Sequence, residues 1–143
     1  MPCLVGVDLG DVRIGLAVSD GEKKIAFPLG VVERISGSYG FNRISRLLAG
    51  RDIEGFVVGL PVRTDGTIGS QAQKALSYIE ALKKHFKVNV FSWDERFSTA
   101  MAERYLKDDA MKAKERKRVV DGIAAQVILQ SYLDSLQKAH NLY

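Results

Sequence analysis

The hydrophobic pattern of this chain turns near residue 35 from a run of strands to helices interleaved with strands, and that change constrains the fold more than any other feature. As far as about residue 35 the chain reads as three strands separated by turns. Cys3-Leu4-Val5-Gly6-Val7 opens an apolar run over 3–9, and Gly10-Asp11 supplies a turn. Over Arg13–Asp20, Ile14, Leu16 and Val18 fall on one face and Gly15, Ala17 and Ser19 on the other, the two-residue repeat of a strand. Gly21 turns the chain into a third run near Ile25–Ile35. Pro28 lies inside that run and cannot donate to a ladder, which assigns the strand to a sheet edge.

Beyond this point apolar residues recur at helical spacing. Phe41, Ile44, Leu47 and Leu48 predict a short amphipathic helix ending near Gly50. Gly55-Phe56-Val57-Val58-Gly59-Leu60 is almost wholly apolar, as expected of a strand covered on both faces. Ser70 and Gln73 have the spacing of a capping box, ahead of Ala72, Ala75, Leu76, Ile79, Leu82 and Phe86. Val88–Trp93 repeats the buried-strand pattern. Ser98 or Thr99 is placed to cap a helix carrying Met101, Ala102, Tyr105 and Leu106. A last long helix, from about Glu115 to Lys138, buries Val119, Val120, Ile123, Ala124, Val127 and Ile128. The order β-β-β-α-β-α-β-α-α predicts an α/β fold: a five-stranded mixed sheet with helices on both faces and the first strand near its centre. Length and the lack of a linker or repeat predict one domain over residues 1–143.

Composition excludes several classes before any site is considered. Hydrophobic residues at 46% and charged residues at 27% are ordinary for a soluble globular protein. No apolar run approaches a membrane span, and the N-terminus lacks the basic patch, long apolar stretch and cleavage site of a signal peptide. The single cysteine, Cys3, rules out an intramolecular disulfide and a cysteine-based zinc site. The expectation is a cytoplasmic protein with no membrane partner. A net charge of +4, from 21 basic and 17 acidic residues, points only weakly to nucleic acid. Its distribution says more: between Lys112 and Arg118 five basic residues stand against one acid, Glu115. That run is either a phosphate-attracting stripe or a solvated helix start.

Acids recur where elements end, and ligands of such sheets favour the carboxyl ends of strands. Asp8 ends the first strand on the face of Leu4 and Gly6, Asp94-Glu95 follows the fifth strand, and Asp121 lies in the first turns of the final helix. Taken singly, Asp8 could be a turn residue, Asp94 a cap and Asp121 an i,i+4 partner of Lys117. Taken together they form a candidate catalytic and metal-binding set, because Gly122, Ala124 and Ala125 allow the last helix to lie close against the sheet. Converging carboxylates repel unless a cation stands between them. Carboxylate, water and phosphate oxygens suit magnesium or manganese, and two such ions can promote phosphodiester hydrolysis. Lys114, Lys117 and Arg118 share a helical face with Asp121, so phosphate-attracting charge would lead to the site. Arg13 and Arg96, beside the acidic positions, either hold phosphate or neutralise carboxylates. Gly59, Pro61 and Gly66 are expected to shape loops. Trp93 is expected in the core, Phe97 in the core or as a base-stacking platform, His85 and His140 at the surface, and Cys3 as a small buried hydrophobe.

These same residues resemble a known family. Val7-Asp8-Leu9-Gly10-Asp11-Val12-Arg13-Ile14-Gly15-Leu16-Ala17-Val18-Ser19-Asp20 is similar to the opening signature of the YqgF (RuvX) family. Gly59-Leu60-Pro61 with Asp65-Gly66-Thr67 resembles its second block, Asp94-Glu95-Arg96-Phe97-Ser98-Thr99 its third, and Val120-Asp121-Gly122-Ile123-Ala124-Ala125 with Ile128-Leu129-Gln130 its fourth. The resemblance implies an RNase H-like fold related to the RuvC resolvases and a metal-dependent nuclease. Its roles would be processing the 5′ end of pre-16S ribosomal RNA or resolving Holliday junctions. Asp8 then matches the first-strand aspartate of such metal sites and Asp121 the final-helix acid. RuvC-type enzymes carry a glutamate at the end of the fourth strand, where this chain has Gly59-Leu60-Pro61. Glu95 is the expected substitute, with Asp94 as its rival. Arg63-Thr64 departs from the Asn-Met often found before the Asp-Gly of the second block.

Two other classes compete. An actin-like sugar kinase or ATPase shares the fold, but its nucleotide lies between two such domains and this chain has one, without a second Asp-Gly strand-turn unit. A non-catalytic nucleic-acid-binding factor would use the basic stripe equally well, yet placed acids would oppose phosphate. The partner is expected to be structured RNA or branched DNA, with a pre-ribosomal particle as a further candidate. A junction resolvase normally needs a dimer, for which the sequence offers no obvious seam beyond exposed apolar residues of the last helices, whereas an RNA-processing enzyme can act as monomer or homodimer. The reading favours RNA processing.

Overall fold

The computed structural model describes residues 1–35, 38–63 and 65–97, the backbone of 113–141 and, within that last helix, the side chains of 122–138. Strands β1 (Cys3–Leu9), β2 (Arg13–Ser19) and β3 (Ala26–Glu33) lead to helix α1 (Phe41–Leu47). Strand β4 (Ile53–Leu60), helix α2 (Ser70–Phe86), strand β5 (Asn89–Asp94), a 3-10 turn (Glu95–Phe97) and helix α3 (Ala113–Asn141) follow. The helix expected after Ser98 or Thr99 lies outside the described residues. The strands form one sheet in the order β3-β2-β1-β4-β5, so the first strand is central as its sequence predicts. β1, β2 and β3 pair antiparallel, whereas β4 pairs parallel with β1 and β5 parallel with β4. β3 is an edge strand. Its Pro28 sits at a register shift, where Leu16 pairs with Gly30 and Ala17 with Pro28, so the missing N–H disturbs no regular ladder.

The sheet has two unlike faces. On one, Val5, Val7, Ile14, Leu16, Val18, Phe56 and Val58 pack against Ile44 and Leu48 near α1 and Tyr78, Ile79 and Leu82 of α2. On the other, Leu4, Ala17, Ala26 and Val57 pack against Ala125, Ile128, Leu129 and Leu133 of α3. The alternation of β2 read from sequence is thus the division between large and small residues on the two faces. Small residues on the second face let α3 lie close. A Cβ at Gly6 would come 2.7 Å from Leu129 Cβ and 2.8 Å from the Ala125 carbonyl oxygen. Two glutamines fix the helix to the β3 edge: Gln130 Oε1 accepts from the Ala26 N–H at 2.8 Å, and Gln126 Nε2 donates to the Ala26 carbonyl at 3.0 Å.

One local expectation is overturned. α2 is capped by the extended backbone of Gly69 with no side-chain cap bond, so Ser70 already lies inside the helix and the Ser70–Gln73 box does not form. The Gln73 N–H instead donates to the Gly69 carbonyl at 3.0 Å. In the preceding loop the Arg63 guanidinium stands 2.6 Å from where a Cβ at position 69 would be.

The close approach at Gly6 makes a testable prediction. Gly6→Ala meets the backbone of α3, which cannot swing aside as a side chain would. The substitution should cost about 1–3 kcal/mol, the range for overpacked cores, read as a lowered midpoint in denaturant unfolding. Unchanged stability would show that α3 does not lie this close to β1.

Candidate active site

β1, β4 and β5 run parallel, so their carboxyl ends open at one end of the sheet. Asp8 lies half-buried one residue from the end of β1, and alternation with Leu4 and Gly6 sets it on the α3 face. Its partner across β2 is Gly15, which contributes no side chain on that side. The turn after Asp8 is tight: the Gly10 N–H donates to the Arg13 carbonyl at 2.9 Å, and a Cβ at Gly10 would meet that oxygen at 2.5 Å. Arg34 Nη1 donates to the Gly10 carbonyl at 2.9 Å, a clamp on the Asp8 turn that no motif marks in the sequence. Arg13 begins β2 half-buried, on the same face as Gly15 and Ala17 and hence as Asp8.

The end of β5 distributes its two acids differently. Asp94 is the last strand residue, and its carboxylate accepts from the Arg96 N–H at 2.9 Å, from Arg96 Nε at 2.9 Å and from Nη2 at 2.6 Å. The Arg96 guanidinium holds the Asp94 carboxyl below the usual carboxylate range. Arg96 is thereby committed to a neighbouring carboxylate, with its side chain 41% exposed. Glu95 goes the other way. It opens the 3-10 turn and reaches back to the α3 face, where its Oε1 lies 2.7 Å from the position a Cβ at Gly59 would take, beside Ile128. Burial first, then the Asp8 carboxylate, then that of Asp94, raise the Glu95 carboxyl from 4.5 to about 7. Asp8 and Glu95, eighty-odd residues apart in sequence, therefore feel each other's charge.

Helix α3 leads to the same place. Along β3 the contacts run from Lys24 with Gln130, through Ala26 with Gln126, to Pro28 beside Gly122, so α3 runs antiparallel to β3 and β1. The Ala125 carbonyl lies over Gly6. One helical turn before it is position 121, and two residues beyond Gly6 is Asp8. The backbone thus carries position 121 toward the end of β1 where Asp8 stands. The side chains of Lys114, Lys117, Arg118 and Asp121 lie outside the described residues.

The remaining singled-out residues hold the surroundings. Asp65 accepts from both the N–H and the O–H of Thr67, at 2.9 and 2.7 Å, which holds its carboxyl below the usual range and closes the loop after β4. Gly66 takes φ 88° in that loop, a conformation glycine adopts without strain. The Trp93 indole N–H donates to Ser131 Oγ at 3.0 Å, tying β5 to α3. Phe97 is exposed, with its ring 5.6 Å from that of Trp93. His85 is exposed, and Cys3 is buried with its thiol pushed up by that burial.

Among the described residues no group of three His, Cys, Asp or Glu side chains gathers into a metal cluster. Two carboxylates do meet on the α3 side of neighbouring strand ends, since Val7 pairs with Val58 and so brings Asp8 beside Gly59, over which Glu95 reaches; their oxygens are a donor set that a hard divalent cation fits. Between them a cation would relieve the repulsion that raises Glu95.

A central β1 flanked by an antiparallel meander on one side and parallel strands on the other, with helices on both faces, is the RNase H-like fold. Thermus thermophilus RuvC bound to a Holliday junction matches it with a TM-score of 0.53 at 16% identity, over 94% of this chain and 96% of that one. The fowlpox virus resolvase in complex with Holliday junction DNA matches with a TM-score of 0.52 at 10% identity, over 94% and 98%. The family model described as "RuvX: Holliday junction resolvase" matches residues 2–135. Relatives named "Putative pre-16S rRNA nuclease" include one from Thermoanaerobacter pseudethanolicus, 42% identical over 134 residues, 92% of this chain and 96% of the relative. Another, from Desulforudis audaxviator, is 40% identical over 138 residues, 96% and 98% of the two chains. The chain belongs to the RuvX family, and with it to the nucleases, hydrolases acting on ester bonds.

The raised Glu95 carboxyl gives a pH prediction for the metal-free protein. A carboxyl whose folded pKa is raised binds its proton more tightly folded than unfolded, so stability falls as pH rises from about 4.5 to about 7. Glu95→Gln mimics the protonated form and lacks this slope. Unfolding midpoints of the two proteins should agree near pH 4, and wild type should fall behind by pH 8. Parallel profiles across that window would mean that Glu95 is not held against Asp8.

Proposed function

We propose that this chain is a metal-dependent endonuclease that processes the 5′ end of pre-16S ribosomal RNA in the cytoplasm. The observation that carries the chemistry is the apposition of Glu95 and Asp8 at the carboxyl ends of two strands, reached also by position 121 of α3. The substrate follows from relatives at about 40% identity named for pre-16S rRNA and matched over more than nine-tenths of both chains. Asp8, Glu95 and Asp121 would hold magnesium or manganese. When bound, such an ion supplies Lewis acidity for phosphodiester hydrolysis at neutral pH. Asp94 is left out of this set because Arg96 already holds it, and Arg96 acts indirectly by ordering that turn. Arg13, on the Asp8 face, and Lys114, Lys117 and Arg118, one to two helical turns before Asp121, would draw the phosphate backbone toward the acids.

The direct test is cleavage of a pre-16S RNA fragment bearing its 5′ extension, alongside a four-way DNA junction. The RNA should be cut only with magnesium or manganese and not in excess chelator, calcium substituting poorly. Asp8→Asn, nearly isosteric, should lower the rate by several orders of magnitude while RNA affinity and fold stay close to wild type. Wild-type turnover by purified Asp8→Asn would remove Asp8 from the mechanism. Cleavage of the junction with the RNA left intact would transfer the substrate to branched DNA.

The two β5 acids are separated by a paired substitution. Glu95→Gln should reduce kcat/KM about a hundredfold or more, whereas Asp94→Asn, which disturbs a supporting ion pair, should stay within about tenfold. The reverse order of damage would give the ligand role to Asp94.

A further inference from the structure

Gly59 is the penultimate residue of β4, paired with Trp93 of β5, and it lies on the α3 face. Its expected role was to shape a loop. Instead it stands inside a strand with extended neighbours, and what sets it apart is the space above it. A Cβ built there would lie 2.6 Å from Ile128 Cδ1, 2.7 Å from Glu95 Oε1 and 3.0 Å from Glu95 Cγ. Real Cβ atoms do not tolerate contacts this short, so any side chain at position 59 displaces one neighbour or both.

The two neighbours are not equally movable. Ile128 is 2% exposed and packed among Leu4, Ala17, Val57 and Leu129. Glu95 is half-buried at the open end of the sheet, and the atom in contact is the far end of its flexible side chain. The empty position above Gly59 is therefore the seat of the Glu95 carboxylate, which reaches from the end of β5 back over the end of β4.

We propose that Gly59 is a positioning residue for metal binding, because the absence of its side chain seats the Glu95 carboxylate beside Asp8. The proposal rests on the reading of Asp8 and Glu95 as ligands, and it makes Gly59 act only through Glu95. A methyl group at position 59 turns the carboxylate out toward solvent and leaves the sheet and α3 in place.

The experiment is a double-substitution cycle read by manganese affinity on the full chain, with the unfolding midpoint of each protein measured in parallel. Glu95→Gln should weaken manganese binding, and if it binds as wild type does, the ligand reading fails and takes this proposal with it. With that established, Gly59→Ala should weaken manganese about tenfold or more, as displaced supporting groups of metal ligands do. In the Glu95→Gln background Gly59→Ala should cause no further loss, the non-additivity expected of residues acting through one contact. Additive losses, or a Gly59→Ala protein that binds manganese normally, would overturn the role of Gly59 while leaving Glu95 a ligand. Ile128→Val separates the remaining possibility, since it removes the Cδ1 atom and thus the second contact. Gly59→Ala with Ile128→Val should bind manganese as weakly as Gly59→Ala alone. Restored affinity would mean that the methyl acts by shifting α3, which also overturns the proposal.

Discussion

The close packing of α3 against the sheet is the contact on which the rest of this structure depends. A helix can approach a sheet backbone this nearly only where the sheet offers no bulk, and here Gly6, Gly15, Ala17 and Ala26 provide that surface. The opposite face needs no such provision and carries valine, isoleucine, leucine and phenylalanine against two helices. The unlike faces follow from strand alternation alone: one strand such as β2 serves both, with Leu16 turned to α1 and α2 and Ala17 to α3. Glutamine side chains fix the helix laterally, because Ala26 on the edge strand has backbone groups that no further strand satisfies. Packing, edge protection and the placement of position 121 are thus met by one helix.

The site inherits its charge from that geometry. Three chain segments converge from different parts of the sequence, and only one of their acids has its counter-charge close by in the chain. Asp94 is neutralised within its own turn by Arg96, two residues away. Glu95 sits under α3 against Asp8, and its carboxyl rises to about 7 in consequence. Two carboxylates adjacent in sequence therefore have opposite electrostatic fates, one at the end of β5 paired with Arg96 and the other turned back under α3. The raised one marks where a cation would be stabilised, and the lowered one marks where the protein supplies its own.

Much of this fold was legible because its periods are strong. β1 to β5, α1, α2 and α3 stand where alternation and helical spacing place them, and Pro28 alone identified the edge. The α2 cap was misread because the Ser-x-x-Gln spacing fits a helix that starts at Ser70 as well as one capped by it, and the helix is capped by the backbone of Gly69. Family resemblance supplied Glu95 over Asp94; Glu95 opens the 3-10 turn, beyond the alternation of β5. Arg34 was not legible at all, since its bond to the Gly10 carbonyl joins residues on separate turns of the meander. Gly59 was visible as a glycine but not as a seat. Its meaning depends on a carboxylate from the neighbouring strand and an isoleucine from the last helix, neither adjacent in sequence.

A metal site built on one loop can form before its domain does, since its ligands are already near neighbours. Here Asp8 is fixed by a tight hairpin, Glu95 by the vacancy over Gly59, and position 121 by the approach of α3 to Gly6. The last two require β4, β5 and α3 to be docked. A cation site built from these positions would therefore belong to the folded domain as a whole, and a cation bound there would stabilise the native state over the unfolded chain by mass action. Relief of the repulsion between Asp8 and Glu95, a cost to the metal-free fold, would then couple metal affinity to folding.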